Sequence, residues 1–435
     1  MSAALIKKIG SKLYFQVLIG IVAGIILGYF NPKLGVELKP LGDIFIKLIR
    51  MLLAPIIFAS VVVGIARMGN VREAGRVGMK AVIYFEILST LALVIGMAVI
   101  NIVKPGVGMN IDAGQIDTAS IATFTAAAQH STLIGFFMNI VPNSVVGAIA
   151  QGEMLQIILF SVLFAIALTR LGEKVAPLVN ILDLFLHGMF GVVKIVMYVA
   201  PIGAFGAIAF TIGRYGIGTL ASFGQLMAAV YITCILFVGI VLGTVMKLCK
   251  LSLWGFLKYI KDEIMIVFGT ASTEAVLPQM LMKMEAMGCK KSVVGLVLPT
   301  GYAFNADGTA IYLTMAAIFV AQATNVDLTF WDQLVILGVM LLTSKGSAGV
   351  AGAGFVALAA TLATMHKIPV SGLVLLLGID RILNEARAVT NLIGNGVATI
   401  AIARWEGMLD VRQAEQTLGG ASVPVVAAPA GDYGR

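Results

Sequence analysis

The sequence predicts an all-α integral membrane protein. Of its 435 residues, 59% are hydrophobic and 12% charged, against about 25% charged in soluble domains. The mean hydropathy is +0.99. Many apolar runs reach the roughly 20 residues that a helix needs to cross about 30 Å of hydrocarbon. No long polar segment is left over to form a soluble domain. A net charge of +8 would suggest nucleic acid in a soluble protein. In a chain this apolar it reflects positive-inside topology, so no nucleic-acid partner is expected. Cys234, Cys249 and Cys289 are odd in number and lack metal-ligand spacing, which argues against a disulfide framework.

Taken in order, MSAALIKKIGSKLYFQ is a lysine-bearing stretch before a long apolar run. It reads as a short cytoplasmic tail and a retained first helix rather than a cleaved signal. Apolar segments follow at 13–30, 43–66, 79–103, 133–169, 175–213 and 222–248. The fourth and fifth are too long for one straight crossing. Both hold breaking positions, Pro142, Asn143, Gly152 and Glu153 in one and Pro201 and Gly203 in the other. Loops carrying Arg67, Arg72, Arg76 and Lys80, then Arg170 and Lys174, then Lys247, Lys250, Lys258 and Lys261 alternate with loops poor in Lys and Arg. The rich loops are expected in the cytoplasm, with both termini. The tail 406–435 is polar and then Ala/Pro/Gly/Val-rich, a composition that predicts disorder.

Beyond Leu253 the pattern changes. DEIMIVFGTASTEAVLPQMLM, between Lys261 and Lys283, is apolar but interrupted by Gly269–Glu274 and Pro278. Each half is too short to span, and lysines at both ends contradict a crossing. The stretch reads as a re-entrant hairpin with a polar tip at membrane depth, where irregular backbone survives only against protein or water. Segment 292–322 reads as two half-helices joined by Pro299–Gly308, with Asn305, Asp307 and Thr309 at the joint. Unwound carbonyls beside a carboxylate suit a cation or a proton in its place; the alternative is a buried Asp satisfied by amides. Segment 331–366 is again two arms about a Gly/Ala-rich middle, Ser344–Gly354. Its bare N–H groups suit an anion, although such runs also serve close helix packing. This hairpin enters from the outside. Hairpin then helix, twice, from opposite sides is the pattern of a secondary transporter.

The last apolar run, Gly378–Trp405, carries Asp380, Asn384, Arg387, Asn391 and Asn395. At 100° per residue they fall on one stripe roughly 80° wide. Ionisable groups at that depth cost about 3 kcal/mol each on insertion scales, so the stripe lines a site rather than lipid. Arg387 offers a permanently charged fork for one carboxylate. Thr273, Asn391 and the N-termini of the hairpins' second arms are placed to hold another, so a doubly anionic substrate is expected. Asn384 stands one turn before Arg387, where an amino-acid site would want an acid to pair the ammonium. The competing reading of Arg387 is a structural ion pair with Glu385 or Asp380. Arg381 and Glu385, four apart and off the stripe, read as a structural pair.

Together with LYFQVLIGIVAGIILG, MLLAPIIFASVVVGIA, APIGAFG, GTASTEAVLP, PTGYAFNADGTAIY and SKGSAGVAGAGF, these residues resemble the dicarboxylate/amino acid:cation symporter family, which includes the glutamate transporters. The resemblance covers about 10–405 and is nearest the bacterial four-carbon dicarboxylate carriers. It implies eight transmembrane helices and two re-entrant helical hairpins, a homotrimer in lipid, and an elevator mechanism in the bacterial inner membrane. It implies that 1–253 is mainly a trimerisation scaffold (helices 1, 2, 4 and 5) that also supplies transport helices 3 and 6. On the same basis, 254–405 is the core transport domain. By motif position Ser272, Thr273, Thr309, Val350, Gly352, Gly354, Asn384, Arg387 and Asn391 would bind substrate, with Val350–Gly354 as the outer gate. Gly301, Asn305, Asp307, Asn391 and Asn395 would form cation sites, and Asp380 joins the candidate proton carriers with Glu86, Glu274 and Asp307.

Departures from the family pattern refine this. Asn384 replaces the Asp of amino-acid carriers, in keeping with a dicarboxylate. Asn395 replaces an Asp of sodium-coupled relatives, and Phe85 and Leu88 replace polar positions. The expected activity is import of succinate, fumarate and malate coupled to protons or sodium, with no other cofactor; the alternative is an acidic amino-acid carrier. No His-Glu-x-x-His, Gly-x-Ser-x-Gly or metal cluster marks an enzyme. His130, His187 and His366 read as peripheral.

Overall fold

The computed structural model describes residues 13–67, 71–112, 138, 140–343, 353–365, 367–377 and 379–419. The regular elements among them are helices, and one isolated bridge joins Cys289 to Leu409. The first three long ones are α1 (Leu13–Phe30), α2 (Lys39–Ala66) and α3 (Val71–Val103), with a six-residue helix at Pro32–Glu37 between the first two. The fourth apolar run breaks where its sequence predicts. Gly152, at φ 72°, ends the short helix Val145–Gln151 in the left-handed region that glycine adopts without strain, and α4 (Met154–Leu171) begins after Glu153. The fifth run divides into α5 (Ala176–Met197) and α6 (Ala200–Ser222). The break falls just ahead of Pro201, which occupies the first turn of α6, where a missing N–H costs no hydrogen bond. Then comes α7 (Gly224–Leu248), with a π-helical turn at Phe237–Leu242.

Among the described residues, four helices are long and apolar enough to cross a membrane: Arg72–Val103, Ala176–Met197, Gly224–Leu248 and Lys291–Ala323. Shorter apolar helices accompany them, so the chain is an all-α protein of the membrane class.

Chain reversal at 261–286 confirms the first hairpin's course. Its arms are α8 (Lys261–Thr270) and α9 (Leu277–Ala286). Lys283 of α9 returns to Glu263 of α8 at 2.7 Å, and its ammonium donates to the Tyr259 carbonyl at 2.6 Å. Both ends therefore lie side by side. The half-helices α10 (Lys291–Phe304) and α11 (Asp307–Ala323) follow. The break between them is narrower than the predicted Pro299–Gly308. Pro299 stays inside α10 and only Asn305 and Ala306 leave helical geometry. A proline removes one backbone donor, and the neighbouring turns are packed well enough to carry the helix past it. The second hairpin's arms are α12 (Phe330–Thr343) and α13 (Ala353–Met365), which pack together. Asp332 and Lys367 pair at 2.6 Å at their base. Since α10 and α11 together run from the base of the first hairpin to the start of the second, the two hairpins open at opposite ends of the molecule.

The loop carrying Arg67, Arg76 and Lys80 gathers with Lys291 at the first hairpin's end. Arg67 pairs with Asp183 at 2.8 Å, Lys291 lies 3.7 Å from the same carboxylate, and Arg76 meets Glu406 at 2.8 Å. His187 sits in this network, away from the polar stripe, as expected of a peripheral histidine. His130 and His366 lie outside the described residues.

The last long helix is α14 (Asp380–Trp405). One expectation is corrected just beyond it. Residues 406–419 are ordered rather than a disordered tail. Lys290 donates its N–H to Met408, Asp410 donates its own to Gly288, and the Asp410 side chain caps a helix at Val411–Leu418. Composition missed this because the order comes from distant backbone partners at 288–290.

Candidate functional site

Helix α14 is buried on all sides over its central turns, so its polar stripe faces protein. Each stripe residue meets a different element. Asn384 donates its amide to the Ala271 carbonyl at the first hairpin's tip, at 2.8 Å. That carbonyl is available because Ala271 ends α8 in the left-handed region, at φ 51°, which turns the chain out of the helix. Ser272 and Thr273 follow directly, both buried.

Arg387 is 2% exposed. Its Nη2 and Nε donate to Asn384 Oδ1 at 2.8 and 3.2 Å. Its guanidinium carbon lies 4.0 Å from the ring centroid of Tyr312. Its Nη1 stands 3.1 Å from Asp380 Oδ1, an ion pair out of line for a hydrogen bond. Thus the alternative partner of Arg387 named from the sequence is real in the case of Asp380. Gly354, at the start of the second hairpin's second arm, is packed against Arg387 Nη1 and the Thr309 methyl. Val350 and Gly352 lie outside the described residues, as does the Arg381 side chain proposed to pair with Glu385.

One turn further, Asn391 supplies what the start of α11 lacks. No side chain of the joint itself caps that helix. Instead Asn391 Oδ1 accepts from the N–H groups of Gly308 (2.8 Å) and Thr309 (3.4 Å), and its amide donates to Thr309 Oγ1 at 3.1 Å. Each such bond contributes about 1 kcal/mol net, and leaving a buried donor unmet costs more. Asn305 and Asp307 are fully buried, with Asn305 Nδ2 donating to Asp307 Oδ2 at 3.2 Å.

Asn395 completes this second cluster. A methyl group on Gly301 would fall 2.3 Å from Asn395 Oδ1, and one on Gly394 would fall 2.3 Å from Asp307 Oδ2. Glycine is needed at both places because the oxygens approach the backbone there. Phe85 of α3 abuts Gly301 as well, so an apolar ring closes this side. The Oδ1 atoms of Asn305 and Asn395 are buried with no hydrogen-bond donor among the described residues. An oxygen-only group beside a carboxylate and an unwound backbone suits a hard monovalent cation or a proton.

Two clusters therefore share α14. Ser272, Thr273, Thr309, Gly354, Asn384, Arg387 and Asn391 surround the Arg387 end. Gly301, Asn305, Asp307 and Asn395 surround the other, with Asn391 between them. Glu274 is buried at the hairpin tip, Asp380 is partly buried against Arg387, and Glu86 is partly buried on α3. Sequence reasoning missed Tyr312, on which Arg387 stacks. Its position three residues after Thr309, on the same face of α11, was the available signal.

The description "Sodium:dicarboxylate symporter family" matches residues 13–405. C4-dicarboxylate transport protein 3 of Ralstonia nicotianae is 58% identical over 417 residues, 96% of this chain and 93% of the relative. C4-dicarboxylate transport proteins of Laribacter hongkongensis and of Geobacter sp. (strain M21) are 55% and 56% identical, over 93% and 95% of this chain and 92% and 94% of theirs. With that match spanning both hairpins and both clusters on α14, this chain belongs to the sodium:dicarboxylate symporter family.

Proposed function

We propose that the chain is a secondary active symporter that imports C4-dicarboxylates such as succinate, fumarate and malate. The observation that carries this is a pair of buried donors beside one amide. Arg387 Nη1 and Ser272 Oγ each lack a hydrogen-bond acceptor among the described residues. Asn384, tied to both Arg387 and the carbonyl before Ser272, stands between them. A dicarboxylate brings one acceptor group to each donor and no ammonium that needs an acid. The names of the relatives point the same way.

The second reading is an acidic amino-acid carrier. Asp380 is the acid that would take the ammonium, but Arg387 already holds it. Coupling follows from the Asn305–Asp307–Asn395 cluster. The neutral Asn395 and the apolar Phe85 weaken a sodium site there and favour a proton on Asp307, Asp380, Glu274 or Glu86. We further propose the elevator arrangement, with 254–405 as the moving core and 1–253 mainly as the scaffold of a homotrimer. The lysine-rich end would face the cytoplasm from a bacterial inner membrane.

The test is succinate uptake into proteoliposomes, with sodium and pH gradients imposed separately. Uptake driven by an inward proton gradient without sodium supports the full reading. Sodium-only uptake keeps the substrate and overturns the ion, and aspartate outcompeting succinate overturns the substrate.

A further inference from the structure

Beyond the transport site, one cavity lies at the lysine-rich end of α7. It has a volume of about 420 Å³ and is walled by Lys250, Ser252, Trp254, Lys258, Glu415 and Leu418. Its two sides are the short helix Leu253–Tyr259 and the ordered C-terminal helix Val411–Leu418. The two helices touch at Gly255, whose missing side chain lets the Leu418 carbonyl close in, so the walls are fixed against each other. Lys250 is held in the left-handed region at φ 60°, which presents its side chain at the turn out of α7. Neither Lys250 nor Lys258 has an ion-pair partner among the described residues. Glu415 on the far wall offsets one of the two charges, and the cavity remains cationic.

The position of the cavity decides what occupies it. Immediately before it, α7 exposes Ile232, Ile240 and Leu248, an apolar face on a helix long enough to span a membrane. Trp254, 76% exposed on the cavity rim, belongs to the residue type that settles at the membrane–water interface. A cationic pocket where an apolar span leaves the membrane matches the phosphate of an anionic lipid headgroup, with the acyl chains running back along the exposed face. We infer that the cavity between Leu253–Tyr259 and Val411–Leu418 binds the phosphodiester headgroup of an anionic phospholipid through Lys250 and Lys258, with Trp254 against the glycerol region. The site lies apart from the substrate and cation clusters. The proposal needs the chain to lie in a membrane but not to carry a dicarboxylate, so its fate is separable from that of the uptake assay.

Trp254 is itself the reporter. A protein carrying Trp331→Phe and Trp405→Phe keeps a single tryptophan. It is reconstituted in phosphatidylcholine with a minority of phosphatidylglycerol, bromine being placed high on the acyl chains of either lipid in turn. Brominated phosphatidylglycerol is expected to quench Trp254 more than an equal fraction of brominated phosphatidylcholine. Lys250→Gln with Lys258→Gln should bring that ratio to one, with elution of the folded protein and succinate uptake unchanged. Equal quenching by the two lipids, or a ratio that survives the lysine substitutions, overturns the site. Equal quenching by the two lipids, together with a change in Trp254 emission on adding soluble glycerol phosphate that needs Lys250 and Lys258, assigns the phosphate to a soluble source and overturns the lipid.

Discussion

Replacing Arg387 by Ala tests the centre of the argument in two separable ways. The guanidinium is 2% exposed, bonded to Asn384 at 2.8 and 3.2 Å and paired with Asp380 at 3.1 Å. A two-bond charge-assisted contact to a substrate carboxylate is worth about 3–5 kcal/mol. At 1.4 kcal/mol per decade, its loss weakens succinate binding roughly a hundred- to several-thousand-fold. Removing the arginine also leaves Asp380 without its cation. For a fully buried pair that costs about 3–5 kcal/mol of stability. Asp380 keeps 15% of its side chain exposed, so about 3 kcal/mol is expected. Adding Asp380→Asn removes the orphaned charge and should recover most of the lost thermal stability without recovering binding. Titration calorimetry with succinate and thermal unfolding of the purified protein separate the two effects. Wild-type succinate affinity in the Ala variant would refute the substrate role. A double variant no more stable than the single one would refute the ion-pair account.

Two further predictions use other parts of the molecule. Asn384→Asp places a carboxylate beside Arg387 and against the Ala271 carbonyl. It should raise the succinate dissociation constant at least about tenfold, about 1.4 kcal/mol, and make aspartate a better competitor; competition uptake that leaves the ranking unchanged contradicts the reading of Asn384. At the end of α14, Glu406 is subject to burial, which raises its pKa, but the hydrogen bonds from Lys80 and Arg76 outweigh it and hold the carboxyl below its ordinary value of 4.5. A depressed folded value means the stabilisation is complete above the unfolded pKa and is lost as pH falls through the folded one. Glu406→Gln should therefore lower the unfolding temperature at neutral pH, and the difference should shrink as pH falls below the ordinary value of 4.5 and disappear once the folded carboxyl is protonated; a gap that does not narrow in acid counts against this assignment.

How much of this was legible in the residues alone differs from element to element. Membrane class and helix order follow from long apolar runs, because hydrocarbon thickness and backbone hydrogen bonding leave a chain few options. Breaks at Gly152 and before Pro201 were readable, since glycine and proline act on their own backbone. The first hairpin was readable from lysines flanking an apolar stretch too short to return otherwise. The stripe on α14 was readable because helical period fixes which residues share a face. Proline was less decisive than its sequence suggests at Pro299, where packing carried the helix on. What only the tertiary structure decided is which groups meet across elements. Asn384 reaching Ala271, Asn391 capping α11, Tyr312 beneath Arg387 and residues 406–419 bonded to 288–290 each join positions that no local pattern connects. Asp380 as partner of Arg387 was one option among two until the geometry chose it. Periodicity places a side chain on a face of its own helix; contacts between helices depend on how those faces pack, and that is a property of the whole chain.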